Sequence, residues 1–473
     1  MNSESSDLKG LDGRAAGVIG VVGAGTMGSG IAQLACKAGA RTLLYDALGE
    51  ALERGSQGVL KGLQKEADKG KLTAEQAREA GERLEPVEEL EQLSSCELVI
   101  EAAPERLDVK HELYGRLSEI VSERCVLASN TSSLPITAVA AGATHPERVV
   151  GMHFFNPAPL MRLLEVIAGL LSDERALAIA QATGLAMGKD TIRAADVPGF
   201  IVNRCNRPFG LEALRLLQEQ IADIETIDRI VRLGGGFRMG PFELSDLVGV
   251  DTGFDVAKSF YELSFGEPRW RPSPIQARQV AAGLHGRKTG RGYYDYSGEG
   301  PHRPADPDPP AGGGDAIVTG SGPVADALRA LAPGRSGPEI AVDGLSGTVD
   351  GEPFYAIAPL TLVEVTGEAG EQAFRGLGLH TARVQPAPGG VLSRIVCQVI
   401  NESAFALGEG VGSADDIDTG MMLGLSHPRG PFAWMHEIGP DQVLRTLEAL
   451  GEEYREERYR PAPALRRLAA EAG

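Results

Sequence analysis

The apolar residues of this chain form short β-branched runs that alternate with longer segments of helical spacing. The first run, Val18 to Val22, is followed by a glycine-rich turn, the small-residue segment SGIAQLACKAGA and a second run, RTLLYD. Three later segments also carry a short apolar run that ends in small or polar residues: CELVIEAAPERLDVKHELYGRLSEIV, RCVLASNTSSLPITAVAA and RVVGMHFFNPAP. This alternation of strands and helices predicts an α/β domain on a doubly wound parallel sheet.

The turn after the first strand has the spacing of a dinucleotide-binding loop. Gly23 allows a tight turn, Gly25 lets a pyrophosphate approach the backbone, and Gly28 lets the next helix pack closely on the strand. Asp46 ends the second strand, where a carboxylate accepts hydrogen bonds from both ribose hydroxyls and repels a 2′-phosphate. A Rossmann-type domain that binds NAD rather than NADP is therefore predicted, although this motif alone leaves FAD open. The residues of the turn expected to contact the cofactor are Gly23, Ala24, Gly25, Thr26, Met27 and Gly28.

Chemically useful side chains follow the later strands. In an open parallel sheet, ligands bind beyond the carboxyl ends of the strands. Glu105, residues 130–133 and residues 153–156 are therefore expected to converge near the nicotinamide. Oxidation of a secondary alcohol needs a general base, and His153 is a histidine at a strand end. A single strand-end histidine is more often a core residue, so position alone does not assign this role.

The second half of the chain repeats part of the first half. From Val391 the sequence reproduces the segment from Ile201 at a constant offset of 190 residues. The matching pairs are Arg204 with Arg394, Asp228 with Asp418, Leu233 with Leu423, and Gly240-Pro241-Phe242 with Gly430-Pro431-Phe432. Asn203 falls opposite Ser393, and we identify no histidine–glutamate constellation before the second copy. We therefore expect this copy to pack against the first rather than to form a second active site.

A degenerate copy of the glycine-rich turn precedes the second copy of the helical segment. The run from Gly320 to Ala325 has Pro323 where a helix would begin and Ala325 at the third glycine position, so it is expected to carry structure rather than NAD. The predicted divisions are a disordered leader (1–16), the NAD-binding Rossmann domain (17–199), an all-α domain (200–297), a Pro/Gly-rich linker (298–314), a reduced, degenerate Rossmann-like α/β segment (315–390) and a second copy of the all-α domain (391–473).

Composition narrows the possible partners. The formal net charge of −19 disfavours nucleic acid and anionic membranes, and no apolar run approaches the length of a membrane span. The five cysteines are scattered without a close pair, which favours reduced thiols over disulfides or a metal site. The polar leader lacks the apolar core of a secretory signal, so a cytoplasmic location is expected.

Four motifs in order, SNTSSLPI, GMHFFNPAPLMRLLEVI, DVPGFIVNR and MGPFELSDLVGVD, resemble the L-3-hydroxyacyl-CoA dehydrogenase family. The resemblance implies that His153 takes the hydroxyl proton and that Glu165 holds and polarises the imidazole. It also implies that Ser132 and Asn203 bind the substrate oxygen and the thioester region. Asn203 follows Pro198-Gly199, which connects the two predicted domains, so the site is expected in a cleft between them.

The same resemblance supplies further contacts and a reaction. It implies cofactor contacts for Glu105, Lys110, Ser132, Asn156 and Lys288, and a coenzyme A contact for Lys69, whose neighbours Lys61, Lys65 and Lys71 are expected to be solvated. The order of segments is similar to the long, duplicated members of the family that oxidise 3-hydroxybutyryl-CoA or 3-hydroxyadipyl-CoA in aromatic catabolism.

The implied reaction is NAD-dependent oxidation of an (S)-3-hydroxyacyl-CoA. The two helical copies are expected to pack as an internal pseudo-dimer, and a homodimer of the whole chain stays possible. Two alternatives stay open: a non-catalytic, crystallin-like protein on the same fold, and a dehydrogenase of a β-hydroxy acid without CoA.

Overall fold

The computed structural model of the chain describes residues 13–332, 334 and 336–472. They form two compact units, the first comprising residues 13–201 with Val411–Gly424 and the second comprising the other described residues, within 202–410 and 425–472. Residues 411–424, which the sequence analysis placed in the second helical copy, thus pack with the first unit. No helix in the described part of the chain is both long and apolar enough to cross a membrane.

Most of the predicted leader, residues 1–12, lies outside the described residues. The rest of it is anchored to the first unit. Arg14 forms an ion pair with Glu97 at 2.6 Å, and the Ala16 N–H donates a hydrogen bond to Thr183 Oγ1 at 3.1 Å. Residues 14–16 therefore differ from the disordered leader that was expected, because their charge and backbone find partners on the domain.

The first unit is an α/β domain. Its strands are β1 (Val18–Val22), β2 (Arg41–Tyr45), β3 (Leu84–Val87), β4 (Leu98–Glu101), β5 (Val126–Ser129), β6 (Val149–Phe154), β7 (Leu163–Ala168) and β8 (Asp190–Ala195). Its helices are α1 (Thr26–Lys37), α2 (Gly49–Asp68), α3 (Ala74–Glu82), α4 (Leu107–Ile120), α5 (Ile136–Ala140), α6 (Glu174–Ala186) and most of α16 (Ala414–Leu425). The α/β class predicted from the alternation of strands and helices is confirmed.

The eight strands form one sheet in the order β3-β2-β1-β4-β5-β6-β7-β8. Neighbouring strands are parallel except β6 and β7, which pair antiparallel with His153 opposite Glu165. The parallel sheet that the sequence predicted therefore contains one antiparallel pair, β6 with β7. Only residues 155–162 connect β6 to β7, which is too short for the crossover that parallel neighbours need, so the chain turns back as a hairpin.

The second unit combines helices with a smaller sheet. Its helices are α7 (Val202–Cys205), α8 (Arg207–Gln218), α9 (Ile224–Arg229), α10 (Pro241–Val248), α11 (Val250–Leu263), α12 (Pro274–Ala281), α13 (Pro323–Leu331), α14 (Glu368–Gly376), α15 (Leu392–Gly408), α17 (Pro431–Ile438), α18 (Pro440–Tyr454) and α19 (Pro463–Ala472). Its strands are β9 (Ile317–Thr319), β10 (Glu339–Asp343), β11 (Ser346–Val349), β12 (Glu352–Tyr355), β13 (Leu362–Val365) and β14 (His380–Arg383). The sheet order is β14-β13-β12-β11-β10-β9.

One edge of the smaller sheet has the same strand directions as the edge of the larger sheet that carries His153. β12 and β13 pair antiparallel, β13 and β14 pair parallel, and helix α14 connects these last two strands. The strands β6, β7 and β8 with helix α6 show the same order of directions. Tyr355 lies opposite Glu364 in the smaller sheet, as His153 lies opposite Glu165 in the larger.

Two reciprocal ion-pair networks cross the helical part of the second unit. The buried Arg204 on α7 binds Glu402 at 2.9 Å and Glu409 at 2.7 Å. The residues at the matching positions, 190 residues away in each case, form the mirror set: Arg394 binds Glu212 at 2.8 Å and Glu219 at 2.7 Å. Contact of residue i with residue j and of the equivalent of j with the equivalent of i is the property of a two-fold interface.

Candidate active site

The glycine-rich turn has the geometry that a dinucleotide needs. Gly23 adopts φ +99°, and a Cβ there would lie 2.6 Å from the Ala102 carbonyl oxygen. A Cβ on Gly28 would lie 1.7 Å from the Gly23 carbonyl oxygen, so only glycine lets α1 begin so close to β1. A Cβ on Gly25 would meet no protein atom within 4 Å. The backbone there faces open space, so the turn fits the pyrophosphate of NAD at the N-terminus of α1.

Asp46 stands directly beside this turn. Its Oδ2 accepts a hydrogen bond from the Ala24 N–H at 2.7 Å, and its Oδ1 accepts one from the Leu48 N–H at 2.9 Å. The Gly23 N–H donates to the Tyr45 carbonyl at 2.8 Å, which ties the turn to the end of β2. The carboxylate therefore lies next to the glycine-rich turn, and its predicted contact with the ribose stays a prediction. Thr26 and Met27 form the first turn of α1.

His153 and Glu165 face each other across β6 and β7. His153 Nδ1 and Glu165 Oε2 are 2.7 Å apart, with both side chains buried. The imidazole ring also lies 4.5 Å from the Phe155 ring and 5.9 Å from the Phe200 ring, measured between centroids. Glu165 Oε1 accepts a second hydrogen bond from the Ile201 N–H at 3.0 Å. A buried carboxylate on Nδ1 orients the ring and selects the tautomer that leaves Nε2 able to accept a proton.

Glu105 accepts hydrogen bonds from the loop that carries Ser132. Glu105 Oε1 accepts hydrogen bonds from the Thr131 hydroxyl, from the Ser132 N–H at 3.2 Å and from the Ser133 N–H at 3.1 Å. Burial raises the pKa of Glu105, but the Thr131 hydroxyl and the charge of Lys110 outweigh it, so the pKa is lowered overall. Glu105 is thus a carboxylate at neutral pH, and Ser132 is exposed at the surface of this loop.

Lys110 lies in a buried network under the same loop. Its ammonium is 2.6 Å from Glu101 Oε1 and 3.4 Å from Glu105 Oε2, and the Lys110 side chain is 1% exposed. The Ser129 hydroxyl donates to Glu101 Oε2 at 2.6 Å. In this structure Lys110 therefore acts on the residues that hold Ser132, and its predicted contact with the cofactor stays a prediction.

Two asparagines lie at the strand ends. Asn130 Oδ1 accepts a hydrogen bond from the Phe154 N–H at 2.9 Å, which fixes the end of β6 next to His153. Asn156 is exposed in the connection that follows β6. Glu105, Asn130, Ser132 and His153 thus all follow or end strands of the central sheet, as the strand-end rule predicts.

Other predicted residues lie elsewhere. Asn203 and Lys288 belong to the second unit: Asn203 is half-buried on α7, and Lys288 forms an ion pair with Asp251 at 2.6 Å. Lys69 caps the C-terminus of α2 in the first unit and is exposed, as are Lys61, Lys65 and Lys71. Within the described residues, no three His, Cys, Asp or Glu side chains cluster closely enough to hold a metal ion.

Family profiles cover most of the chain. The profile of the NAD-binding domain of 3-hydroxyacyl-CoA dehydrogenase matches residues 18–197. The profile of the C-terminal domain of the same enzyme matches residues 199–296 and 389–472. The chain belongs to the 3-hydroxyacyl-CoA dehydrogenase family. The family, the enzyme class and the NAD cofactor predicted from the four motifs and the glycine-rich turn are confirmed.

Relatives of two lengths occur in this family. The chain is 40% identical over 472 residues to the 3-hydroxyadipyl-CoA dehydrogenase of Escherichia coli, covering 95% of this chain and 97% of that one. The crystal structure of an E. coli 3-hydroxybutyryl-CoA dehydrogenase superposes with a TM-score of 0.85 at 37% identity, covering 97% of this chain and 99% of that one. The crystal structure of the (S)-3-hydroxybutyryl-CoA dehydrogenase of Ralstonia eutropha is shorter. It matches at 39% identity with a TM-score of 0.58, covering 60% of this chain and 100% of that one.

One residue that supports the connection between β6 and β7 was not predicted from the sequence. Lys189, directly before β8, is buried, and its ammonium donates hydrogen bonds to the carbonyls of Ala158 at 2.5 Å and Met161 at 2.7 Å. Burial lowers the pKa of Lys189 to about 8. The lysine thereby holds the connection between the strands of His153 and Glu165. Its only sequence signal is a lysine between two apolar elements, which does not distinguish it from a solvated one.

Proposed function

We propose that the chain oxidises (S)-3-hydroxyacyl-CoA to 3-oxoacyl-CoA with His153 as the general base and Glu165 as the group that orients it. Membership of the family establishes the reaction class, and the buried contact of 2.7 Å between the two side chains is the observation that supports their roles. The glycine-rich turn from Gly23 to Gly28 would hold NAD, which would supply the acceptor for the hydride from C3 of the substrate. His153 Nε2 takes the proton of the C3 hydroxyl, and Glu165 stabilises the imidazolium that results.

The remaining predicted residues have supporting roles in this proposal. Ser132, exposed on the loop that Glu105 holds, donates a hydrogen bond to the substrate oxygen, and Asn203 contributes an amide to the thioester region. Asp46 binds the adenosine ribose, while Asn156 and Lys288 contact the cofactor. Lys69 pairs with a phosphate of coenzyme A, which suits an exposed lysine on a strongly acidic protein.

For the acyl group we propose 3-hydroxybutyryl or 3-hydroxyadipyl, because the relatives that match nearly the whole chain carry these two names. We place the reaction in the cytoplasm, which is favoured by five cysteines that are all buried thiols.

We also propose that residues 391–473 duplicate the helical domain at 200–297 and pack against it as an internal pseudo-dimer. The support is the reciprocal arrangement of ion pairs, in which Arg204 binds Glu402 and Arg394 binds Glu212. The C-terminal domain profile matches both segments, starting at residues 199 and 389. In a shorter chain the equivalent surface would need a second copy of the protein.

The test of the reaction is the formation of NADH with (S)-3-hydroxybutyryl-CoA, 3-hydroxyadipyl-CoA and free 3-hydroxybutyrate. We expect turnover with the thioesters and none with the free acid. His153→Ala should lower kcat by about 10²- to 10⁴-fold while the Kd for NAD changes little. His145→Ala, at a partly exposed histidine paired with Glu147, is the matched control and should keep full activity.

Each contrary result removes one part of the proposal. Near-normal turnover of His153→Ala would refute the role of the base. A preference for the free acid would indicate a β-hydroxy acid dehydrogenase, and NAD binding without turnover of any substrate would indicate a non-catalytic protein on this fold.

A further inference from the structure

The orientation of the proposed catalytic pair depends on a backbone group far along the chain. Glu165 uses one carboxylate oxygen for His153, at 2.7 Å, and the other for the N–H of Ile201, at 3.0 Å. Glu165 and Ile201 have no exposed surface. Because both oxygens are engaged, a shift of Ile201 moves the carboxylate and with it the imidazole.

Ile201 is held in place by the segment that begins at Val411. The Val411 carbonyl accepts a hydrogen bond from the Ala195 N–H, at the end of β8, at 2.8 Å. The next residue, Gly412, packs so closely that a Cβ there would lie 2.5 Å from Ile201 Cδ1 and 3.3 Å from the Arg193 carbonyl oxygen. All of these residues belong to the first unit, although Val411 and Gly412 come from the second helical copy. We define this arrangement as the first joint.

The second unit contains the equivalent hydrogen bonds without a histidine. The Gln385 N–H donates to the Ile221 carbonyl at 2.8 Å, and the Val391 N–H donates to Glu364 Oε2 at 2.6 Å. Glu364 lies opposite Tyr355 in the strand pair. We define this as the second joint. Each of these backbone positions is 190 residues from its equivalent in the first joint: 385 corresponds to 195, 391 to 201, and 221 to 411.

No histidine–glutamate pair was identified before the second copy, and the structure shows that Glu364 takes the place of Glu165 there while tyrosine takes the place of the histidine. The persistence of Glu364 beside Tyr355 shows that the bond from glutamate to backbone does not depend on a histidine. The joint is a structural unit that the chain uses twice, and only in the first unit does it carry a proposed catalytic carboxylate.

The two joints also differ in which of two residues carries one methyl group. The first has Ile201 with Gly412, and the equivalent positions of the second carry Val391 with Ala222. The isoleucine has a δ-methyl where its partner lacks a Cβ, whereas the valine lacks that methyl where its partner has a Cβ. Close-packed interiors conserve volume in this way.

We infer that Gly412 and the carbonyl of Val411 are positioning groups for the proposed catalytic carboxylate, because they fix Ile201, whose N–H orients Glu165. The inference rests on the proposed roles of His153 and Glu165. It gives the second helical copy a part in the reaction although that copy has no active site of its own: its first loop completes the support of the site in the first unit.

The test is a set of volume changes at the two joints. Gly412→Ala places a methyl against the end of the Ile201 side chain, so the protein is expected to fold. We expect kcat to fall roughly ten- to hundredfold, the cost of a misplaced catalytic group, while KM for the acyl-CoA and Kd for NAD change less than about twofold. Ile201→Val removes the δ-methyl and, combined with Gly412→Ala, recreates the pair of the second joint. The double variant should recover kcat to within about twofold of the unmodified protein.

The matched control is Val391→Ile, which creates at the second joint the same isoleucine–alanine pair that Gly412→Ala creates at the first. It should lower the thermal midpoint by a similar amount without changing kcat. A Gly412→Ala variant with full kcat and only a lower midpoint would overturn the inference, as would a double variant that stays impaired or a Val391→Ile variant that loses the same activity.

His153→Ala is measured in the same assay to separate the two proposals. If His153→Ala keeps its rate, the proposed function fails. If His153→Ala is inactive and Gly412→Ala is fully active, only the positioning role fails.

Discussion

Arg394 is the residue whose replacement tests the packing of the two helical segments most directly. Its side chain has no exposed surface. Nε donates to Glu212 at 2.8 Å, Nη1 donates to Glu219 at 2.7 Å, and Nη2 donates to the Tyr459 hydroxyl oxygen at 2.7 Å. The guanidinium also lies 4.8 Å from the centre of the Tyr454 ring. The coulombic attraction and hydrogen bonds of the two glutamates outweigh burial and raise the pKa of Arg394 overall.

Arg394→Met keeps much of the side-chain volume and removes the charge. Glu212, whose side chain is 4% exposed, then stays buried without the guanidinium of Arg394 that it binds in this network. Breaking a buried pair by removing one partner costs about 3–5 kcal/mol, because the other charge stays desolvated. This is a large part of the roughly 5–15 kcal/mol by which a domain is stable. Adding Glu212→Gln neutralises the stranded carboxylate, so the double variant should be about 2 kcal/mol more stable than Arg394→Met.

The assay is urea unfolding followed by tryptophan fluorescence. The chain has two tryptophans, Trp270 and Trp434, and both are buried in the second unit, so the signal reports on the unit that contains the network. Arg445→Met is the control, since Arg445 pairs with Asp343 at 3.1 Å on the surface and its loss should cost less than about 1 kcal/mol. A loss for Arg394→Met no greater than that of the control, or a double variant as unstable as the single one, would refute the reasoning.

Two further predictions concern the cofactor turn and the second joint. Gly25→Ala should fold normally, because its Cβ meets no protein atom within 4 Å, yet raise the Kd for NADH at least roughly tenfold, because the methyl enters the space for the pyrophosphate. Gly28→Ala should lower the thermal midpoint, since its Cβ would lie 1.7 Å from a carbonyl oxygen, and an unchanged Kd for Gly25→Ala would contradict the assignment of the turn. Burial raises the pKa of Glu364 from 4.5 to about 7, so folding binds a proton in that interval and stability falls by about 3 kcal/mol as the pH rises through it. Glu364→Gln should remove this component from urea unfolding curves recorded across the interval, and an unaltered pH dependence would count against the raised pKa.

Sequence patterns predicted the parts of the site that follow from periodicity. The strand ends were visible as apolar runs that stop at polar residues, and the sheet brings such ends to one edge. Glu105, Ser132 and His153 were therefore assigned to one region without a structure. The hairpin of β6 and β7 was missed because each strand alone gives the same apolar signal, whether its neighbour is parallel or antiparallel.

The supporting contacts could not be predicted because they are made by backbone groups and by distant segments. The Ile201 N–H that binds Glu165 has no side-chain signature, and Gly412 is 211 positions from Ile201 in the sequence. Glu364 was overlooked for a different reason. Glu364 lies 27 residues before Val391, whose N–H it binds, whereas Glu165 lies 36 residues before Ile201. The two glutamates are therefore not related by the constant offset of 190 residues. The difference comes in part from α14, which has nine residues where α6 has 13.

The hydrogen-bond partners of the two glutamates explain why the first joint can support a reaction while the second has a structural role. In the second joint, both oxygens of Glu364 accept backbone N–H bonds, from Val391 at 2.6 Å and Leu392 at 2.9 Å. The Tyr355 hydroxyl accepts the Ala387 N–H at 3.2 Å. The pair is thus committed to the backbone. In the first joint, Glu165 gives one oxygen to the backbone and the other to the imidazole of His153, whose second nitrogen is the proton acceptor in the proposed reaction. Opposite its glutamate the first joint thus carries histidine, the side chain of the proposed acid–base pair, where the second joint carries tyrosine.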